Sequence, residues 1–204
     1  TCALPISMSM AGQFNPQMQQ AEQPWVAYQQ AGQLFEIRDL GTSFESIPED
    51  IGLLWIVQPK GLSSTTQYAI DQFVMRGGKA LIFVDPLATV DAAGGQGMPP
   101  TGQPSDLPLL FEGWGIEYDA IQVVADAQRA LTVNSAFGNR PARHYGYLGI
   151  TEDLVSADDI VTMELTALNA AMAGRFGVAD DSELTFEPLV TSSTNSTTMP
   201  ASRF

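Results

Sequence analysis

At 204 residues, with 45% hydrophobic and only 16% charged side chains, the chain is too apolar for intrinsic disorder and long enough for one substantial core, so a single folded domain spanning 1–204 is expected. Acids outnumber bases 23 to 9, and the resulting net charge of −14 excludes polyanion binding through Lys and Arg, so neither nucleic acid nor an anionic membrane surface is an expected partner. Cys2 is the only cysteine, which excludes an internal disulfide and any multi-cysteine metal or redox site.

In chain order, CALPIS (Cys2 to Ser7) is expected as a strand, WVAYQQAGQ (Trp25 to Gln33) as a helix and LFEIRDL (Leu34 to Leu40) as a second strand. LLWIV (Leu53 to Val57) and ALIFV (Ala80 to Val84) are continuous apolar runs rich in branched and aromatic residues, the pattern of strands covered on both faces. Between them Ser64 and Gln67 have the spacing of a capping box, and Ile70, Phe73 and Val74 share one helical face. Gly77 follows Arg76 where a left-handed residue closes a helix, and Gly78 leaves room for the turn into Ala80. The unit reads β-α-β and therefore parallel, which points to an α/β fold with a mostly parallel sheet.

Residues 88–106 form a Gly- and Pro-rich low-complexity stretch, expected as a mobile loop. From Leu107 a short helix is expected to end near Gly113 or Gly115, followed by a strand through Ile121, Val123 and Val124. HYGYLGI (His144 to Ile150) and LTFEPLV (Leu184 to Val190) read as extended, NAAMAGRF (Asn169 to Phe176) fits helix or strand, and the closing TSSTNSTTMPASRF is expected to fray. Asn195-Ser196-Thr197 matches a glycosylation acceptor, a triplet that chance produces often. No apolar run approaches the ~18–20 residues that span a bilayer. The opening on Thr1 without a charged-then-apolar leader fits a segment of a longer protein.

Gly77-Gly78-Lys79 evokes a phosphate loop, but a phosphate loop follows a strand and opens a helix, whereas here the order is reversed. The apolar run ending in Asp85 resembles a magnesium-holding strand end, an acid that works only beside such a loop. No G-x-S-x-G elbow is present. The nucleophile and base candidates are Cys2, the Ser63-Ser64 turn and the single imidazole of His144, which form no recognisable catalytic constellation. Acid pairs at Asp158-Asp159 and Asp180-Asp181 read as solvated loop charges rather than calcium ligands, and neither a metal site nor a cofactor is expected. The carboxyl ends of the parallel strands are where α/β sheets bind ligands. There Gln58, Pro59 and Lys60 follow one strand and Asp85 and Pro86 the next, so Lys60 and Asp85 either pair with each other or face a polar ligand.

The stretch LLWIVQPKGLSSTTQYAIDQFVMRGGKALIFVDP resembles the signature region of the auxiliary component of uncharacterised ABC transport systems, the gliding-motility-associated, GldG-like family. The similarity continues through LPLLFEGWGIEYDAIQVVAD and LTFEPLVTSS. The resemblance implies an extracytoplasmic, periplasmic domain with a flavodoxin-like or class I glutamine amidotransferase-like three-layer core. It also implies tethering by flanking membrane helices and association with separate permease and ATPase subunits, where ATP hydrolysis would reside. An amidotransferase-like site would carry a reactive Cys after a central strand, but the turn after Val57 reads QPKGLSS and offers no thiol. Pro59, Lys60, Gly77, Gly78, Asp85 and Pro86 match the family pattern, and the family lends none of them a catalytic role. Two functions follow: a non-catalytic domain that binds a partner subunit or a small-molecule or polymer substrate, or an amidotransferase-like or hydrolase-like enzyme. A structural spacer is a third.

Overall fold

A computed structural model describes residues 2–4, 10, 14–15, 20–21, 23–89, 102–134, 140–180 and 182–204. The chain divides into two compact units, one made of residues 1–84 with 106–110 and the other of 85–105 with 111–204.

The first unit contains strands β1 (Cys2–Leu4), β2 (Phe14–Asn15) and β3 (Gln20–Ala21), helix α1 (Val26–Leu34), strands β4 (Ile37–Asp39) and β5 (Leu53–Val57), helix α2 (Ser64–Met75) and strand β6 (Lys79–Phe83). Four of the strands form one parallel sheet in the order β4-β1-β5-β6, and β2 and β3 pair as a minimal antiparallel ladder. The β5-α2-β6 unit therefore has the parallel pairing that its crossover helix demands. Leu54 and Ile56 of β5 and Ile70 and Phe73 of α2 are almost wholly buried and form the centre of this unit. By contrast α1 buries none of its residues, and Val26 and Leu34 at its ends are among the most exposed apolar side chains.

β6 departs from the expectation of cover on both faces. Its residues alternate between exposed and half-buried, with Leu81 and Phe83 each nearly half exposed. Among the described residues β6 pairs with β5 alone, and an edge strand is not wrapped on both sides as a central one is.

Helix α3 (Pro108–Trp114) leads into the second unit. Its strands are β7 (Ile116–Tyr118), β8 (Gln122–Asp126), β9 (Ala130–Asn134), β10 (Pro141–Thr151), β11 (Ala167–Ala171), β12 (Phe176–Val178) and β13 (Ser196–Pro200). They form three sheets, β11-β10-β9, β12-β7 and β13-β8, antiparallel throughout. Leu87, Val123 and Met172 are buried together beneath Tyr147, Ala201 and Phe204. Beside α3, Phe111 packs edge-on against both Tyr118 and Phe176.

These pairings overturn the expected flavodoxin-like or amidotransferase-like core with a mostly parallel sheet. Parallel pairing is confined to one four-stranded sheet, and every other described ladder is antiparallel. The physical cause lies after residue 114, where short extended segments follow one another through tight turns and few helical crossovers exist to bring strands back in parallel. Asn169–Phe176 resolves as the end of β11 and the first residue of β12, while Leu184–Val190 contributes only a bridge between Val190 and Val155. The Ser/Thr-rich end expected to fray instead forms β13 against β8. Most of the loop expected at 88–106 lies outside the described residues.

Candidate functional site

At the carboxyl end of β5 the backbone turns sharply. Gln58 takes the left-handed conformation at φ 50° and Gly61 does so at φ 59°, while the Gln58 N–H donates to the Phe83 carbonyl at 2.9 Å. The Pro59 carbonyl accepts the N–H of Asp106 at 3.0 Å. Ser63, not Ser64, caps α2: its hydroxyl accepts the Thr66 N–H at 3.1 Å. Gln67 is therefore not the partner in a capping box. It is buried, donates to the Leu62 carbonyl at 3.0 Å and accepts the Leu109 N–H at 3.2 Å, which ties the β5-α2 loop to the 106–110 segment. The loop is thus a fixed platform. On it Pro59 is buried and Lys60 half-buried, and desolvation pushes the Lys60 amine below its ordinary pKa.

Lys60 belongs to the first unit, and Asp85 and Pro86 to the second. The Asp85 N–H donates to the Ser105 hydroxyl at 2.7 Å, and its carbonyl accepts the Ser105 N–H at 3.0 Å. This pair clamps the two stems of the 88–106 loop. Pro86 is buried against Gly174, where an added Cβ would come within 2.9 Å of both Pro86 and the Tyr118 ring. Pro59 and Pro86 therefore act as buried supports, while the half-buried Lys60 and Asp85 keep the polar groups.

Gly77 and Gly78 close α2. Gly77, at φ 92°, donates to the Val74 carbonyl and Gly78 to the Phe73 carbonyl, both at 2.9 Å, which is a Schellman ending. These amides are directed at helix carbonyls rather than at a phosphate.

The candidate nucleophiles and base have other tasks. Ser63 serves as the cap, and Ser64 is an exposed first-turn residue. His144 lies edge-on to Tyr147 at 4.7 Å and tilted on Phe204 at 5.5 Å, and its Nδ1 accepts the Gly146 N–H at 3.3 Å. Desolvation lowers its pKa. The side chain of Cys2 lies outside the described residues, as does Asp181. Asp159 uses its carboxylate to accept the Val161 N–H, and among the described residues no group of three His, Cys, Asp or Glu side chains is placed to hold a metal. No helix among the described residues is long and apolar enough to cross a membrane.

Sequence reading missed Asp126. This side chain is completely buried at the end of β8, yet its carboxylate accepts N–H groups from Gln128, Arg129 and Ser193 and the Ser193 hydroxyl. Burial favours the protonated acid, but these hydrogen bonds outweigh it and hold the carboxyl below its ordinary range. An Asp before a turn signals the two local bonds, but nothing local signals Ser193. Near this turn, Arg129 binds the Thr151 hydroxyl and the Asp153 carboxylate. The Thr151 hydrogen bond, aided by the Arg129 charge, lowers the Asp153 pKa against the opposing effect of desolvation.

Residues 8–204 match the family described as an ABC-type uncharacterized transport system. No curated protein and no solved structure matches the chain significantly. The family description names a transport system and does not extend to gliding motility. With all but the first few residues matched, the chain belongs to the family of auxiliary components of ABC-type transport systems.

Proposed function

We propose that this chain is a non-catalytic domain of a membrane-anchored auxiliary protein, placed on the extracytoplasmic (periplasmic) side, that binds a partner subunit or substrate of its ABC transport system. The family match over residues 8–204 carries this reading. In it, ATP hydrolysis belongs to a separate ATPase subunit working with a permease. The side chains an amidotransferase-like or hydrolase-like activity would recruit add support, since Ser63 caps a helix and His144 packs among aromatic rings. Lys60 is one of only two lysines in a chain of net charge −14, and it stands partly desolvated on a braced loop.

The test is affinity purification of the membrane-tethered protein from mild detergent, with mass spectrometry of what accompanies it. An ABC ATPase and permease recovered above a mock purification support the reading, and their reproducible absence with intact bait overturns it. Lys60→Ala and Asp85→Ala should reduce recovery, with circular dichroism of each variant separating a lost contact from a lost fold. Unchanged association in both variants removes these residues from the contact.

A further inference from the structure

The second unit carries a segment that the transport reading does not explain. Between β10 and β11 the chain runs through Asp158 to Leu165 and exposes Ile160 (86%), Val161 (71%) and Met163 (56%) to solvent. Three large apolar side chains within four positions are not the scattered surface hydrophobes that any protein shows. They cannot simply fold inwards, because the backbone beneath them is fixed. The Asp159 carboxylate accepts the Val161 N–H at 2.7 Å, and the Asp159 carbonyl accepts the N–H groups of Thr162 at 3.1 Å and Met163 at 2.8 Å. Thr162, the one buried member, donates its hydroxyl to the Ser156 carbonyl at 2.8 Å, and Ser156 in turn donates to the Leu189 carbonyl at 2.8 Å. The loop is thus anchored through Thr162 and holds its apolar neighbours outward.

Charge decides among the possible occupants. The tip itself is flanked by Asp158, Asp159 and Glu164, and from His144 to Gly174 the sequence contains no Lys or Arg, a cation nearby in space being Arg129 on Asp153. A loop that inserts into an anionic bilayer normally flanks its apolar tip with cations, the opposite of this pattern. A two-fold dimer through this loop would bring the same acids together on both sides of the contact, and like charges oppose such docking. A protein pocket that is apolar at its centre and lined with Arg or Lys at its rim satisfies both the tip and its flanks. We propose that the Asp158–Leu165 loop is a docking element that inserts Ile160, Val161 and Met163 into such a pocket on another subunit of the transport system. This inference rests on the transport-partner reading and names the surface that the partner holds.

The test compares three forms of the membrane-tethered protein purified from mild detergent: wild type, the Ile160→Ser/Val161→Ser/Met163→Ser variant, and the Asp158→Lys/Glu164→Lys variant. Loss of apolar anchors at an interface centre is expected to cut recovery of the ATPase or permease by about tenfold or more. Charge reversal should cut it less and remove its salt dependence. Equal recovery in wild type and the apolar variant overturns the loop proposal while leaving the transport reading standing. Failure of wild type itself to recover either subunit overturns both. Two further measurements use the 204-residue chain. Wild-type retention on phosphatidylcholine–phosphatidylglycerol vesicles that the apolar variant loses would assign the loop to a membrane, and a sedimenting dimer that the variant dissolves would assign it to self-association. Either result overturns the proposal. Ile160→Ser alone, at a side chain almost fully in water, repeats the comparison with no demand on folding.

Discussion

The Asp126 carboxylate accepts both the backbone N–H and the hydroxyl of Ser193, each at 2.8 Å, across 67 positions of sequence. The same carboxylate also closes the turn after β8 through Gln128 and Arg129. It therefore joins a local turn to the segment that leads into β13. Asp126→Ala strands these donors in a buried site and should cost about 3 kcal/mol, against about 1 kcal/mol for Ser193→Ala. Urea unfolding checks both, as a shift in midpoint at constant slope.

Asp126 also predicts an acid dependence. Its folded pKa is depressed, so the unfolded chain takes up the proton first as pH falls. Its stabilisation is complete above the unfolded carboxylate value of about 3.9 and is lost below it, through the folded pKa. The stability difference between wild type and Asp126→Ala should hold steady at neutral pH and shrink towards acid. A difference independent of pH would show that the carboxylate charge is not what stabilises the turn.

His144 acts in a higher window. Its pKa is lowered by desolvation against Tyr147 and Phe204, and its Nδ1 accepts the Gly146 N–H, an arrangement that protonation of that nitrogen breaks. The unfolded imidazole titrates near about 6.5, so stability should decline as pH falls through that value and level off below the folded pKa. An NMR titration should place the His144 midpoint below the free-histidine value, and His144→Leu should flatten this part of the stability profile.

The two glycines that close α2 should differ in cost. Gly77→Ala forces a Cβ into the left-handed region at φ 92° with open space around it, a penalty of about 1 kcal/mol. Gly78→Ala places a Cβ 2.5 Å from the Phe73 ring and 2.6 Å from its carbonyl oxygen, and overpacking a buried residue should cost about 2–3 kcal/mol. Thermal unfolding of the two variants tests the order.

At the other end of α2, Ser63→Ala removes the hydroxyl that accepts the Thr66 N–H and should cost about 1 kcal/mol. Ser64→Ala, in the exposed first turn, should be nearly neutral by the same measurement. Equal effects would return the cap to the Ser64–Gln67 spacing.

Much of the first unit was legible because its signals are local. The apolar run Leu53–Val57 is β5 residue for residue, α2 runs from the Ser63-Ser64 turn to the residue before Arg76, and Gly77 closes it in the left-handed conformation. The parallel pairing of β5 with β6 follows from the α2 crossover, long enough to bring the strand back in the same direction, whereas β4 connects to β5 through residues 40–52 without a helix. Burial was less legible, since LIFV reads as a doubly covered strand yet forms an edge with Leu81 and Phe83 half exposed. For the candidate site, the sequence placed Lys60 and Asp85 at adjacent strand ends, but their division between two compact units depends on how the chain packs. Short apolar periods and turn glycines act within a few residues and so can be read from the sequence, whereas the cap fell one residue before the expected Ser64 because adjacent serines carry the same signal. The pairing of β8 with β13, the bond from Asp126 to Ser193 and the outward set of Ile160 above a buried Thr162 join distant positions. Only tertiary structure decides these, because their stability comes from which surfaces meet after loop closure rather than from any segment's own preference.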